Sequence, residues 1–181
     1  KEIQNNFSYK IKAHVLSTGG VKRWLNYCMD GVRIGIGLHG SSPFPDDLPF
    51  LKNPYRLVAP VVQIKNVKKG ETVGYNLSWV APENKRIGIV AIGYADGIPP
   101  DASRYGICFY YSGTPMPVIG TTCMDVTFVD VTDTPVKEGD LLEIIGNNSQ
   151  TLHQFAAKLN RTPYYILTSF SQRIKRIYVE N

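Results

Sequence analysis

The sequence predicts a mainly β protein: a small antiparallel barrel or sandwich from about Tyr55 onward, preceded by the tail end of an α/β domain. Three observations carry that reading. Beyond Tyr55, short runs rich in β-branched and aromatic residues alternate with turn signals such as Lys69-Gly70, Ser112-Gly113 and Glu138-Gly139. Before it, a strand, a helix-like stretch and a second strand follow one another, as in a parallel sheet buried on both faces. Between the two, "SSPFPDDLPFLKNP" (41–54) is proline-rich and without period, which marks a linker.

The elements follow in order. "YKIKAHVL" (9–16) reads as a strand ending at Ser17-Thr18 and the Gly19-Gly20 turn, "VKRWLNYCM" as helix-like, and "VRIGIGLHG" (32–40) as an apolar, glycine-studded strand. Two strands close no sheet, so residues 1–54 are expected to be the end of a larger α/β domain plus the linker, and residues 55–181 the β domain. Its strands are expected at 57–67, 86–93, 106–111, 116–120, 123–131 and 140–146. In "TLHQFAAKLN", Leu152, Phe155, Ala156 and Leu159 share one helical face. Thr162-Pro163 supplies an N-cap and a first-turn proline for a short helix carrying "YYILTSF". "RIKRIYV" is expected to close the chain as an edge strand.

Composition narrows the function classes. Apolar residues make up 43% of the 181, enough for a core, and the formal charge of +5 is spread along the chain. The densest basic stretch, "QRIKRI" (172–177), alternates with apolar residues instead of forming a stripe, which argues against a nucleic-acid partner. No segment approaches the ~20 apolar residues of a membrane span. The first residues have no signal-peptide h-region, and the missing initiator Met implies a processed chain or a piece of a longer one. Cys28, Cys108 and Cys123 show no C-x-x-C spacing, which argues for a reducing cytoplasm and against a disulfide framework or a metal site.

Familiar catalytic signatures are absent: no nucleophile elbow, Walker loop, H-E-x-x-H or G-x-G-x-x-G. What remains is a set of small residues and tyrosines. If the first two strands belong to a β/α barrel, Thr18, the Gly19-Gly20 turn and Gly35 lie where such barrels bind phosphate. Arg33 inside an apolar strand requires a partner, structural or functional. Tyr75, in "GETVGYNL" (70–77), sits at the mouth of a turn where a packing residue has little to pack against.

The order "VRIGIGLHG", "KKGETVGYNLSW", "RIGIVAIGYADG", "VIGTTCMDVTFVDVT", "GDLLEIIG", "TPYYIL" and "RIKRIYV" resembles the C-terminal part of bacterial alanine racemases, from about Tyr9 to the end. The resemblance implies a pyridoxal-phosphate enzyme that interconverts L- and D-alanine for peptidoglycan. It also implies a homodimer in which each active site combines one subunit's (β/α)8 barrel with the other's β domain. Carried over position by position, Tyr75 falls on the catalytic tyrosine and Arg33 on the arginine that hydrogen-bonds the pyridine nitrogen. Thr18, Gly35, Ile36 and Tyr164 fall on phosphate-binding positions, Met124 on the residue whose backbone meets the substrate carboxylate region, and Tyr94 on a tyrosine at the site entrance.

Racemisation needs two bases on opposite faces of the substrate carbon. A tyrosine's ordinary pKa is ~10, so a tyrosine base near neutral pH calls for positive neighbours. The sequence departs from the family's pattern at Ser17 (usually asparagine), Asn76 (usually glycine), and Pro100 and Thr121 (usually arginines). No segment matches the V-V-K-A-N-A-Y-G-like stretch that carries the family's cofactor-binding lysine, so the chain alone is expected to be inactive. Two further readings stay open: a non-catalytic β assembly or binding module, and a related amino-acid decarboxylase sharing the barrel-plus-β-domain architecture.

Overall fold

The computed structural model describes residues 3–180, and the chain divides into two compact units between Pro54 and Tyr55. The first unit holds a two-stranded parallel pairing of β1 (His14–Ser17) with β2 (Gly31–Arg33). Between them lie the single helical turn α1 (Thr18–Val21) and a 3-10 turn at Leu25–Tyr27.

Several expectations for this unit need correction. The first strand begins only at His14, and the second ends at Arg33, after which Ile36–His39 form a 3-10 turn. Arg33 is therefore exposed at a strand end and not buried within a strand. The 21–29 stretch is not a helix: it holds only the end of α1 and the 3-10 turn at Leu25–Tyr27. The supposed linker is structured, with a 3-10 helix over Pro45–Phe50 and a buried Asp47. The Ser42 hydroxyl donates to Asp47 at 2.6 Å, Arg23 Nη1 reaches both carboxylate oxygens at 3.1 and 3.0 Å, and the Arg23 guanidinium lies 3.6 Å from the Phe44 ring centroid. A polar, aperiodic sequence thus folds through a satisfied side-chain network instead of an apolar stripe.

The second unit is an antiparallel barrel, closed in the order β10-β3-β6-β9-β8-β7. Its strands are β3 (Leu57–Val67), β6 (Lys85–Val90), β7 (Cys108–Tyr111), β8 (Thr114–Ile119), β9 (Thr127–Asp130) and β10 (Leu141–Ile145). The Glu143–Tyr110 pairing closes it. The choice between barrel and sandwich is settled by that closure, which leaves no open edge. Alternation places the core: Leu57, Ala59 and Val61 are buried along β3 while Pro60 and Val62 face out. Phe109, Met116, Val129 and Ile144 are fully buried, and such side chains contribute about 1.5–3 kcal/mol each.

Outside the barrel lie a separate ribbon, β4 (Thr72–Val73) with β5 (Trp79–Val80), and two helices, α2 (Leu152–Lys158) and α3 (Pro163–Ser169). Thr151 and Gln154 form a reciprocal capping box on α2, and Thr162 caps α3 by accepting from the Tyr165 N–H at 3.3 Å. The expected closing strand over 173–179 does not form. Alternation makes a strand only where a sheet edge offers partners, and Ile177 remains 74% exposed. Among the described residues, no helix is long and apolar enough to cross a membrane.

Candidate functional site

Tyr75 stands at the tip of the β4-β5 ribbon, 68% exposed. The backbone that presents it is unusual. Gly74 has φ +84° and ψ 176°, a region open essentially only to glycine, and Asn76 (φ +56°) and Leu77 (φ +51°) are left-handed. The ribbon pairs Thr72 with Val80 and Val73 with Trp79, so the 74–78 segment must reverse direction within five residues. Its base is tied down: the Thr121 N–H donates to Ser78 Oγ at 2.9 Å. The phenol is thus held outward on a braced turn, in contact with little of its own unit.

The GYADG and CMD segments, thirty residues apart in sequence, are locked together. The Tyr94 N–H donates to the Cys123 carbonyl at 2.9 Å and the Ala95 N–H to the Met124 carbonyl at 3.0 Å. Asp96 is 8% exposed and caps its own turn, accepting from the Gly93 N–H at 2.9 Å. Arg173 Nε and Nη2 grip Asp96 at 2.6 and 3.1 Å, and Nη2 also reaches Asp125 Oδ1 at 2.7 Å. Burial alone would raise the Asp96 carboxyl, but the Arg173 hydrogen bonds, the Gly93 N–H and the Arg173 charge together hold it below its ordinary value. Tyr94 (44%) and Met124 (52%) remain exposed on this braced pair of loops.

Tyr94 also borders a cleft of about 250 Å³, together with Pro100, Asp101, Tyr105, Arg161 and Tyr165. The Arg161 guanidinium lies 5.6 Å from the Tyr165 ring centroid. Tyr164, in the first turn of α3, is 54% exposed.

In the first unit, the turns that follow the two strands meet at Thr18 and Gly35. Thr18 Oγ1 accepts the Gly35 N–H at 3.1 Å and the Gly37 N–H at 3.2 Å, joining the turn after β1 to the turn after β2. The Thr18 hydroxyl proton remains to be donated. Nothing lies within 4 Å of where a side chain on Gly35 would project, so this corner is sterically open. Ile36 follows with its side chain buried, 2% exposed. Arg33 Nη1 lies 2.9 Å from His14 Nδ1 and donates to the His14 carbonyl at 3.0 Å, which turns the guanidinium back toward the first residue of β1. A hydroxyl with a proton to give and an open glycine turn form a corner suited to an anionic ligand.

Residues 55–178 match the family described as alanine racemase, C-terminal domain. The chain belongs to the alanine racemase family. It is 38% identical over 168 residues to an alanine racemase of Ruegeria sp. (strain TM1040), covering 93% of this chain and 47% of that one. Among solved structures, it resembles alanine racemase from Bartonella henselae with covalently bound pyridoxal phosphate (TM-score 0.81, 33% identity, 94% of this chain and 48% of the other). It also resembles the Clostridium difficile 630 alanine racemase in complex with cycloserine (TM-score 0.89, 28% identity, 99% and 49%). The chain spans about half the length of the curated relatives it matches.

Within the alanine racemase family, the departure at Asn76 has a local explanation. The position is left-handed, and asparagine is among the few residues that share glycine's tolerance of that conformation. The residues that reading by motif overlooked are His14, Asp96, Asp125 and Arg173. His14 carries no metal-ligand spacing, and its contact with Arg33 spans 19 positions; the Arg173–Asp96 contact spans 77. The available signal was the pair of aspartates inside two motifs already singled out.

Proposed function

We propose that the chain is the C-terminal part of a pyridoxal-phosphate-dependent alanine racemase that interconverts L- and D-alanine for peptidoglycan, with Tyr75 as one of the two proton-transfer bases. The observation that carries this reading is the phenol of Tyr75, held out on a ribbon whose Gly74 and Asn76 both adopt the positive φ that the turn requires. A base that works in a site completed by another subunit must project from its own domain, and this one does.

The open turn at Thr18 and Gly35, and separately Arg33, suit the cofactor's anionic end and its ring. Thr18 has a hydroxyl proton to give, Gly35 leaves room for an anion beside it, and Arg33 is a permanently charged donor braced by His14. In this reading Thr18, Gly35, Ile36 and Tyr164 hold the phosphate and Arg33 faces the pyridine nitrogen. Pyridoxal phosphate, when bound, supplies an electron-withdrawing ring that eases loss of the α-proton. The chain's own residues do the rest. Tyr75 takes or returns the proton on one face of the α-carbon, Met124 sets the backbone beside the substrate carboxylate, and Tyr94 lines the approach. Arg33, which does not give up its proton, keeps the pyridine nitrogen hydrogen-bonded without protonating it.

The parent enzyme is a head-to-tail homodimer with shared sites, and residues 1–54 are the last part of its barrel. The chain alone, without the lysine-bearing segment, is inactive. The test is Tyr75→Phe in the full-length enzyme. Removing a general base lowers kcat on the order of 10²–10⁴-fold, while dimer mass and cofactor content stay at wild-type values. Racemisation at the wild-type rate in that variant would refute the role of Tyr75.

A further inference from the structure

We propose that Arg173 is a positioning residue that fastens the GYADG loop to the CMD loop and so sets Tyr94 and Met124 in register for the substrate. The catalytic half of this statement rests on the reading of Tyr94 and Met124 given above; the mechanical half does not.

The fastening is built from one side chain and two carboxylates. Arg173 Nε and Nη2 take both oxygens of Asp96, at 2.6 and 3.1 Å, and Nη2 turns its second hydrogen to Asp125 at 2.7 Å. Asp96 is the buried member, with a side chain 12% exposed against 63% for Asp125. Asp96 in turn holds the Gly93 N–H, one residue before Tyr94. Asp125 directly follows Met124. The cation therefore grips each loop beside the residue that the site uses. The loops meet through backbone hydrogen bonds from Tyr94 to Cys123 and from Ala95 to Met124, and a guanidinium spanning both carboxylates prevents them from shearing apart.

The approach of the Arg173 segment is itself fixed. The Ser171 N–H donates to the Asp96 carbonyl at 3.3 Å, the Arg173 N–H to Ser171 Oγ at 3.3 Å, and the left-handed Gly97 (φ +109°) has no space for a Cβ beside the Ser169 carbonyl. A lysine would keep the charge but could not form the fork. This explains why a stretch with strand-like alternation runs as an irregular tail: its function is carried by the side chain, not by a ladder.

Two measurements test the proposal. In the 181-residue chain, amide hydrogen exchange is compared for wild type, Arg173→Ala and Arg173→Lys. Both variants should speed exchange at Tyr94 and Ala95 by about tenfold or more, while the β6–β9 amides of Gly88 and Val129 keep their protection. Unchanged exchange at Tyr94 and Ala95, or equal loss at the barrel amides, overturns the fastening. If Arg173→Ala fails to fold, the Lys variant decides. In the full-length enzyme, both variants should raise KM for alanine by about tenfold or more with a smaller change in kcat, because misplacement of substrate contacts is costly. Faster exchange at Tyr94 and Ala95 with an unchanged KM overturns the substrate-side placement of these residues and the positioning role with it.

Discussion

Gly93 and Met124 lie so close that the space a side chain on Gly93 would occupy is already filled by the Met124 carbonyl. The contact exists because Tyr94 and Ala95 donate to the carbonyls of Cys123 and Met124, drawing the two backbones together. The glycine of GYADG is thus a requirement of loop-to-loop approach and not of turn geometry, since its φ of −141° is open to any residue.

Gly93→Ala should therefore be destabilising even though alanine suits the backbone. The obstacle is main chain, which cannot rotate aside as a side chain can. An overpacked site of this kind costs about 1–3 kcal/mol or more. Urea unfolding of the chain should show a lower midpoint at unchanged m-value; an unchanged midpoint would mean that the loops separate freely.

Asn76 offers the opposite case, where conformation decides and space does not. Its φ of +56° costs an ordinary L-residue about 1–2 kcal/mol. Asn76→Gly should be nearly neutral, whereas Asn76→Val should loosen the ribbon. The readout is local, because a ribbon of two residues per strand opens without unfolding the barrel. Exchange at the Val73–Trp79 pair should accelerate in the Val variant and not in the Gly variant.

The barrel was legible because its signal is periodic. Leu57, Ala59 and Val61 alternate with outward residues, and the run at 57–67 coincides with β3 at both ends. The capped helices were equally legible, since Thr151 and Thr162 carry local signals. What escaped reading is held by side chains over long separations. The 41–54 stretch folds around Asp47, Ser42 and Arg23, none of which is distinctive in sequence. The 172–177 stretch carries strand-like alternation, yet Arg173 is committed to Asp96 and Asp125. The β4-β5 ribbon is too short to produce a period. Tyr75 and Arg33 were visible as residues out of keeping with their surroundings, but His14 became visible only when β1 and β2 were paired.

Asp96 predicts an acid sensitivity whose sign follows from its depressed pKa. The folded state holds the carboxylate ionised below its ordinary value of 3.8, so near pH 3.8 the unfolded chain binds more protons than the folded one. The stabilisation is fully present above that value and is lost as pH falls through the lower folded-state pKa. Denaturation midpoints of wild type should thus drop more steeply than those of Asp96→Asn as pH falls below the ordinary carboxylate value of 3.8, because the variant has no proton to take up there. Parallel curves for the two proteins would show that the Arg173 pairing adds nothing to the ionised form.

Glu143 and Gly146 supply a test of coupling. The buried Glu143 carboxylate accepts from Arg56 Nε at 2.8 Å, the Asn148 N–H at 2.9 Å and the Ser149 hydroxyl at 2.8 Å, so it is pinned and lies where a side chain on Gly146 would project. Glu143→Ala leaves the Asn148 and Ser149 donors without their acceptor, costing about 1–3 kcal/mol. Gly146→Ala overpacks the same spot at a similar cost of about 1–3 kcal/mol. In the double variant the alanine at 146 enters space the carboxylate has vacated, so the second change should cost less than it does alone, with a coupling of about 0.5–3 kcal/mol in a double-mutant cycle. Strict additivity would mean that the 146–149 turn moves away from β10 to admit the methyl group, and that Glu143 does not pin it.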